Sequence, residues 1–368
     1  MAELPAACHT LGIAAPLLVT DPGVAQLQQL QRAQQSCLDA GLALQVFSAV
    51  RGNPTGGNVD EGVRAFRAGG HDGVIAIGGG SALDVGKTIA LMAGQARPLW
   101  DFEDAGDNWL RVREEGIAPI VAAPTTAGTG SEVGRASVIT DETAQVKKII
   151  FHPRMLPQRV ILDPELTVAL PPELTAATGM DALSHSLEAY CANAFHPMAD
   201  GIALEGMRLV QQYLPAAVAS GDDLQARMQM LAASSMGATA FQKGLGAMHA
   251  LAHSLGALYD AHHGLLNAIL MPYVLEANRA AVKQRLARAA AYLGLQDRSC
   301  DGFIDWVLAL RREVGIPAGL ADIGITDGDA QRVGEMAASD AAAAGNPIAF
   351  DADAYRALFT DALTGRMR

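Results

Sequence analysis

Five of the nine histidines fall in two short stretches whose other residues are mostly Ala, Leu, Met and Gly. In Asp181-Ala-Leu-Ser-His185 a carboxylate and an imidazole stand at i and i+4, on one face of a helix. Met248-His249-Ala-Leu-Ala-His253 repeats that spacing with two imidazoles, and His262-His263-Gly264 follows. A single helical histidine is ordinarily a satisfied core or surface residue, and His9, His71, His152 and His196 are read that way. A carboxylate and several imidazoles sunk together in apolar sequence are costly to bury, and a bound cation removes that cost. One carboxylate with three imidazoles and no thiolate suits Fe2+ or Zn2+. Mg2+ and Ca2+ prefer oxygen ligands. Spacing alone does not choose the three histidines among His249, His253, His262 and His263.

A second kind of chemistry is written in glycine. Gly78-Gly79-Gly80-Ser81-Ala82-Leu83-Asp84 follows the apolar run GVIAI and opens a helical stretch. Glycines let backbone approach a phosphate, and a helix N-terminus offers unpaired N–H groups with positive potential. The triphosphate-binding loop is excluded, because five residues separate Gly80 from Gly86 where that loop has four. The usual dinucleotide fingerprint is absent too, since the three glycines are consecutive. A plain strand–helix turn is the bland reading, but it needs fewer glycines. Pro124-Thr125-Thr126-Ala127-Gly128-Thr129-Gly130-Ser131-Glu132 forms a second such loop after another apolar run. Its hydroxyls suit phosphate, ribose or the nicotinamide amide. Asp21 ends the run LLVTD. There a carboxylate accepts from a ribose diol and repels a 2′-phosphate, which favours NAD over NADP. It also suits an N-cap for the helix that follows.

These residues need elements to position them. Pro16–Thr20, Leu42–Phe47, Gly73–Ile77, Pro119–Ala123, Ala136–Thr140, Lys148–Phe151 and Arg159–Leu162 read as strands. Helical stretches at Gly23–Ala40, Val59–Ala68 and Ser81–Met92 alternate with the first of them. That alternation predicts a parallel, helix-covered sheet of Rossmann-like type. Beyond Asp163-Pro164 nearly everything has helical period, starting at Leu170-Pro-Pro. Ala199–Tyr213, Asp223–Thr239, Ala277–Ala290 and Gly302–Val314 are the clearest helices, and Ala341–Ala344 reads as a helix end or loop. The expected organisation is an α/β dinucleotide-binding domain over residues 1–166 and an all-α metal-binding domain over residues 167–368.

Composition narrows the partners. A net charge of −12 with scattered Lys and Arg argues against nucleic acid and anionic membrane. No apolar run is long enough to span a bilayer, and the N-terminus lacks the pattern of a secretory signal. Cys8, Cys37, Cys191 and Cys300 form no CxxC and read as reduced thiols of a cytoplasmic protein. Low charge with abundant Ala and Gly fits a homodimer or larger homo-oligomer.

Taken together, the segments LLVTD, GNPTGGNVDEGVRAF, DGVIAIGGGSALDVGK, APTTAGTGSEV, ILDPELT, TGMDALSHSLEAY, GLGAMHALAHSLGALYDAHHGLLNAILMPYVLEAN and GNP at 345–347 resemble the iron-containing (group III) alcohol dehydrogenases. That family includes lactaldehyde reductase and 1,3-propanediol dehydrogenase. The resemblance implies a dehydroquinate synthase-like architecture with the active site in the cleft between its domains. It implies Asp181, His185, His249 and His263 as metal ligands, with His253 beside the nicotinamide as a proton-relay residue. It also implies cofactor contacts at Asp21, Gly79, Gly80, Ser81, Asp84, Thr125, Thr126 and Ser131. The expected reaction is NAD(H)-linked interconversion of a small primary alcohol and its aldehyde, with Fe2+, or alternatively Zn2+, polarising the oxygen. Three departures stand out. Relatives carry a longer segment before the first strand, Ala240-Phe-Gln-Lys243 replaces an AFNNA-like stretch, and Ile348 follows GNP where many members have Arg.

Three other readings compete with this one. A lyase of the dehydroquinate synthase type would want more cations for its acidic sugar-phosphate than the histidine segments supply. A non-catalytic dinucleotide- or metal-binding protein fits poorly with His253 beside four ligand candidates. A reductase for a carboxylate- or phosphonate-bearing aldehyde would use Lys243 as a cation, although a solvated helix-end lysine is the simpler account of it.

Overall fold

The computed structural model describes residues 1–144 and 146–367. The chain divides into two compact units: Met1–Thr126 with Gly130–Val168, and Ala127–Thr129 with the chain from Ala169 onward. Among the described residues, no helix is long and apolar enough to cross a membrane.

The first unit runs α1 (Leu4–Thr10), β1 (Pro16–Val19), α2 (Gln28–Asp39), β2 (Gln45–Phe47), α3 (Gly56–Ala68), β3 (Gly73–Gly78), α4 (Gly80–Met92), β4 (Ile120–Pro124), β5 (Ala136–Asp141), β6 (Val146–Phe151) and β7 (Arg159–Val160). Five strands make a parallel sheet in the order β2-β1-β3-β4-β7. Its inner strands are buried on both faces, which is why they read as unbroken apolar runs. Leu17, Val19, Val74, Ala76, Ile120 and Ala122 pack with Val59, Val63 and Phe66 of α3 and with Leu83 and Ile89 of α4. The alternate residues Leu18, Ile75, Ile77, Val121 and Ala123 pack with Leu4 and Cys8 of α1 and with Leu30, Ala33 and Cys37 of α2. From β1 the chain goes outward to β2, then returns past β1 to β3. The order therefore reverses between β1 and β3, and the crevice beyond their carboxyl ends is where open α/β sheets take ligands.

Two local expectations change, and a helix forms in a segment for which none was expected. Ala136–Thr140 and Lys148–Phe151 do not join the parallel sheet; they pair with each other as the antiparallel ribbon β5–β6. The link between them is too short for the crossover that parallel pairing requires. The segment before the first strand forms α1, with Pro in its first turn and Leu4 and Cys8 buried on one face. The helix expected from Gly23 starts only at Gln28, after a 3-10 turn at Val24–Gln26.

The second unit is helical: α5 (Pro172–Cys191), α6 (Pro197–Ala219), α7 (Leu224–Ala240), α8 (Ala247–Tyr259), α9 (His263–Tyr292), α10 (Cys300–Glu313), α11 (Ala330–Ser339) and α12 (Ala352–Thr364). One apolar core runs through it. Every residue from Thr175 to Cys191 is buried, so α5 is the central helix, covered on all sides. The alanine run forms a 3-10 turn, Ala341–Gly345.

Lys87 fixes the second glycine-rich loop of the first unit. Its buried ammonium donates to the carbonyls of Ser131 (3.0 Å) and Ala136 (2.5 Å) and pairs with Asp84 at 3.2 Å. Lys87→Met leaves Asp84 and two carbonyls without that donor. It should lower unfolding stability by about 3 kcal/mol, read from the urea midpoint at unchanged slope.

Candidate active site

Four potential ligand atoms, from Asp181, His185, His249 and His263, lie within 4.8 Å of one another. Asp181 and His185 come from adjacent turns of α5, His249 from the first turn of α8, and His263 opens α9. The link from α8 to α9 is only Asp260–His262, and Asp260 turns the chain with φ of +52°. That left-handed conformation is more tolerable for Asp than for most residues, because a short polar side chain can bond locally. His262 is set aside by its own job, since its Nδ1 accepts from Leu265 N–H at 3.3 Å and caps α9.

The back of each inner imidazole is held. His185 Nδ1 lies 3.2 Å from the Gly128 carbonyl, and a carbonyl can only accept. His249 Nδ1 lies 2.7 Å from Glu188 Oε2. The carbonyl partner requires the proton of His185 on Nδ1 and turns its Nε2 inward, and the Glu188 contact likewise leaves Nε2 of His249 facing the cluster. Glycine at 128 lets this loop lie against α5, since a Cβ there would stand 2.9 Å from Thr178 Cβ. Burial, helped by the neighbouring His185, holds His249 well below the usual histidine range, and burial does the same to His263. Burial alone would raise the Asp181 carboxyl. The imidazoles of His185, His263 and His249 and the Asn267 amide more than reverse it, leaving Asp181 below the ordinary carboxylate range. Burial pushes Glu188 up to about 7, against the N–H donors of Met248, Gly246 and His249.

The donor set tests well against a transition-metal cation. Facing each other are one carboxylate and the ring nitrogens of three imidazoles. The Asn267 amide nitrogen donates among them, 2.8 Å from Asp181 Oδ1, 3.2 Å from His249 Nε2 and 3.1 Å from His263 Nε2, and the Ser184 hydroxyl adds a longer bond of 3.5 Å to Asp181 Oδ1. The Asn267 Oδ1 is itself buried with no hydrogen-bond partner. An acceptor-rich, donor-poor pocket of three nitrogens and one carboxylate is what Fe2+ or Zn2+ takes. His253 stands at the edge of this group. Its ring stacks on His263 at 5.4 Å, and its Nδ1 lies 3.0 Å from Asp340 Oδ2.

In the first unit, Asp21 and the glycine turn meet at the topological switch. Asp21 Oδ1 accepts from the amides of Gly23 and Val24, both at 2.9 Å, and so braces the turn after β1; it is not the N-cap of the following helix, because α2 starts only at Gln28 with Leu27 at its cap. Asp21 Oδ2 faces Gly78, where a side chain would also meet Ala82 Cβ at 2.6 Å. Gly79 caps α4 with no side-chain bond, leaving the first amides of that helix available, and Thr126 lies beside it. Thr125 N–H donates to Gly78 O at 2.9 Å and joins the two loops. Ser81 Oγ donates to Gly52 O at 2.6 Å. Asp84 is turned inward: it accepts from Ser131 Oγ at 2.6 Å and from Val138 N–H at 2.9 Å. Asp21, Gly79, Gly80, Thr125 and Thr126 are thus brought together, while Asp84 and Ser131 brace the loop from behind.

Lys243 is neither solvated nor free to meet an acidic aldehyde. It is buried, donating to Asp200 Oδ1 at 2.6 Å and to the Tyr190 carbonyl at 3.3 Å. Arg285 binds the same two groups. The sequence could not show this, because Asp200 and Tyr190 reach Lys243 from other helices. Glu188, Asn267 and Asp340 were also missed. Two of them carried a signal: Glu188 is i+7 from Asp181 on the same face of α5, and Asn267 is i+4 from His263.

Comparison with known proteins agrees in both units. The model of the iron-containing alcohol dehydrogenases matches residues 1–164, and that of the family's C-terminal region matches 175–363. A 4-hydroxybutyrate dehydrogenase from Cupriavidus necator is 39% identical over 97% of this chain and 94% of its own length. The crystal structure of a 1,3-propanediol oxidoreductase superposes with a TM-score of 0.93 at 36% identity, covering 98% of this chain and 95% of that one. A sulfoacetaldehyde reductase from Bifidobacterium kashiwanohense, in complex with NAD+, gives 0.88 at 29% identity, covering 98% and 94%. The buried carboxylate–imidazole cluster, the glycine turn at the sheet's switch point and these matches agree: the chain belongs to the iron-containing alcohol dehydrogenase family and is a metal-dependent oxidoreductase that interconverts an alcohol and its aldehyde with a nicotinamide dinucleotide.

Proposed function

We propose that Asp181, His185, His249 and His263 hold one divalent cation, Fe2+ in preference to Zn2+, and that the dinucleotide is NAD. The observation that carries this is the convergence of four ligand atoms within 4.8 Å in a core short of donors. NAD is favoured by the Asp21 carboxylate, which would repel a 2′-phosphate, and by the NAD+ complex of the similar sulfoacetaldehyde reductase. Residues 1–166 are assigned to NAD binding and 167–368 to the metal and catalysis. A homo-oligomer is proposed from the low charge and from Phe195 and Met198, which stay 92% and 75% exposed. A cytoplasmic location is proposed from four buried, unpaired cysteines.

The two bound groups supply Lewis-acid polarisation of the alcohol or carbonyl oxygen and an acceptor or donor of hydride. The protein does the rest. Asp181 offsets part of the cation's charge, and the neutral imidazoles of His249 and His263 offer lone pairs because burial disfavours their protonation. The amides of Gly79, Gly80 and Ser81 at the start of α4 bind the pyrophosphate. Asp21 receives the ribose hydroxyls, and Thr125, Thr126, Asp84 and Ser131 shape the second loop. His253, held at Nδ1 by Asp340, has Nε2 left to take the hydroxyl proton in oxidation and return it in reduction.

Chelated protein should lose activity and regain it with Fe2+ or Zn2+, and NADH should outrun NADPH; metal-independent turnover would overturn the assignment. His185→Ala and His263→Ala should lose metal and activity together. His253→Asn should keep its metal, measured by plasma emission, and lose about 100-fold in kcat. Lys243→Met should cost about 3 kcal/mol of stability and slow acidic and neutral aldehydes by the same factor. A selective loss for acidic aldehydes would restore Lys243 as a substrate reader.

A further inference from the structure

Glu188 has no place in the chemistry above, yet it is buried on α5 against the start of α8. Its Oε1 accepts from Met248 N–H at 2.7 Å, and its Oε2 accepts from Gly246 N–H at 2.9 Å and faces His249 Nδ1 at 2.7 Å. No residue of α8 caps that helix with its own side chain. The remaining amide of its first turn, Ala247 N–H, goes to Asn346 Oδ1 at 3.1 Å. Glycine at 246 makes room, since a Cβ there would stand 2.9 Å from Asn346 Oδ1 and 3.0 Å from Glu188 Oε1. One carboxylate thus anchors the helix and the ring that helix carries.

We propose that Glu188 is a positioning residue of the metal centre: it fixes His249 in the Nδ1–H form, aims Nε2 at the cation, and sets the depth of α8 against α5. This rests on the reading of His249 as a ligand. Such outer carboxylates raise the basicity of a metal-bound imidazole and hold its orientation, and losing one costs about 10- to 100-fold in metal affinity. Asn346 provides the contrast, because it caps the same helix start without touching the His249 ring.

The test is competition of full-length protein against a chromogenic chelator for Zn2+. Glu188→Gln should bind Zn2+ about 10- to 100-fold more weakly, and Asn346→Ser should stay within about threefold of the unchanged protein while losing about 1 kcal/mol of stability. Unchanged affinity in Glu188→Gln overturns the proposal. An equal loss in both variants also overturns it, since Glu188 would then matter only as a helix cap. His249→Ala run alongside separates the two levels: if it binds Zn2+ normally the ligand reading fails, and if it loses Zn2+ while Glu188→Gln does not, only the positioning role fails. Should Glu188→Gln not fold, nitrogen NMR of the Zn2+-loaded, histidine-labelled protein decides. His249 with its proton on Nδ1 and metal on Nε2 supports the proposal, and the opposite tautomer overturns it.

Discussion

Buried acceptors must find donors, and the second unit is organised around a place where they are in short supply. Asp181, His185, His249 and His263 point carboxylate oxygen and ring nitrogens at one another inside an apolar core. Left to themselves these groups would cost several kcal/mol each. The fold answers from both sides. Behind the inner rings, Gly128 and Glu188 hold the Nδ1 atoms, which turns Nε2 inward. In front, charge rather than hydrogen bonding has to balance the cluster, and the Asn267 amide reaches three of its four atoms. The covered position of α5 keeps Asp181 and His185 from water, while His263 stays part-exposed at the edge of the cluster.

The first unit faces a different problem, namely how to present backbone. A strand buried on both sides ends in glycine, and the next helix begins at once without a capping side chain. The site is made of amides, a helix end and one carboxylate. Its lysine, Lys87, is spent inside on Asp84 and two carbonyls. Positive charge is used to hold the loop's shape, and the rim keeps the directional groups.

Much of this was legible in the residues. Unbroken apolar runs marked the parallel strands, and i, i+4 spacing marked both halves of the cluster. Resemblance then singled out His263 over His262, and the geometry shows why His262 is otherwise engaged, capping α9. What stayed hidden depends on pairing across long sequence separations. The β5–β6 ribbon has good strand sequence, but periodicity does not reveal which partner a strand takes. Lys243 looked like a surface cation because nothing nearby in the chain announces Asp200. Glu188 and Asn267 had the right spacing and were overlooked, because their chemistry is supportive and depends on what they touch.

The short turn through Asp260 has a consequence for assembly. With only Asp260–His262 between α8 and α9, chain connectivity itself keeps His249, His253 and His263 near one another, and closing so small a loop costs little entropy. The donors of α5 lie far away along the chain. The entropic burden of building the cluster therefore falls on seating α5 against a pair of helices that a short link already joins.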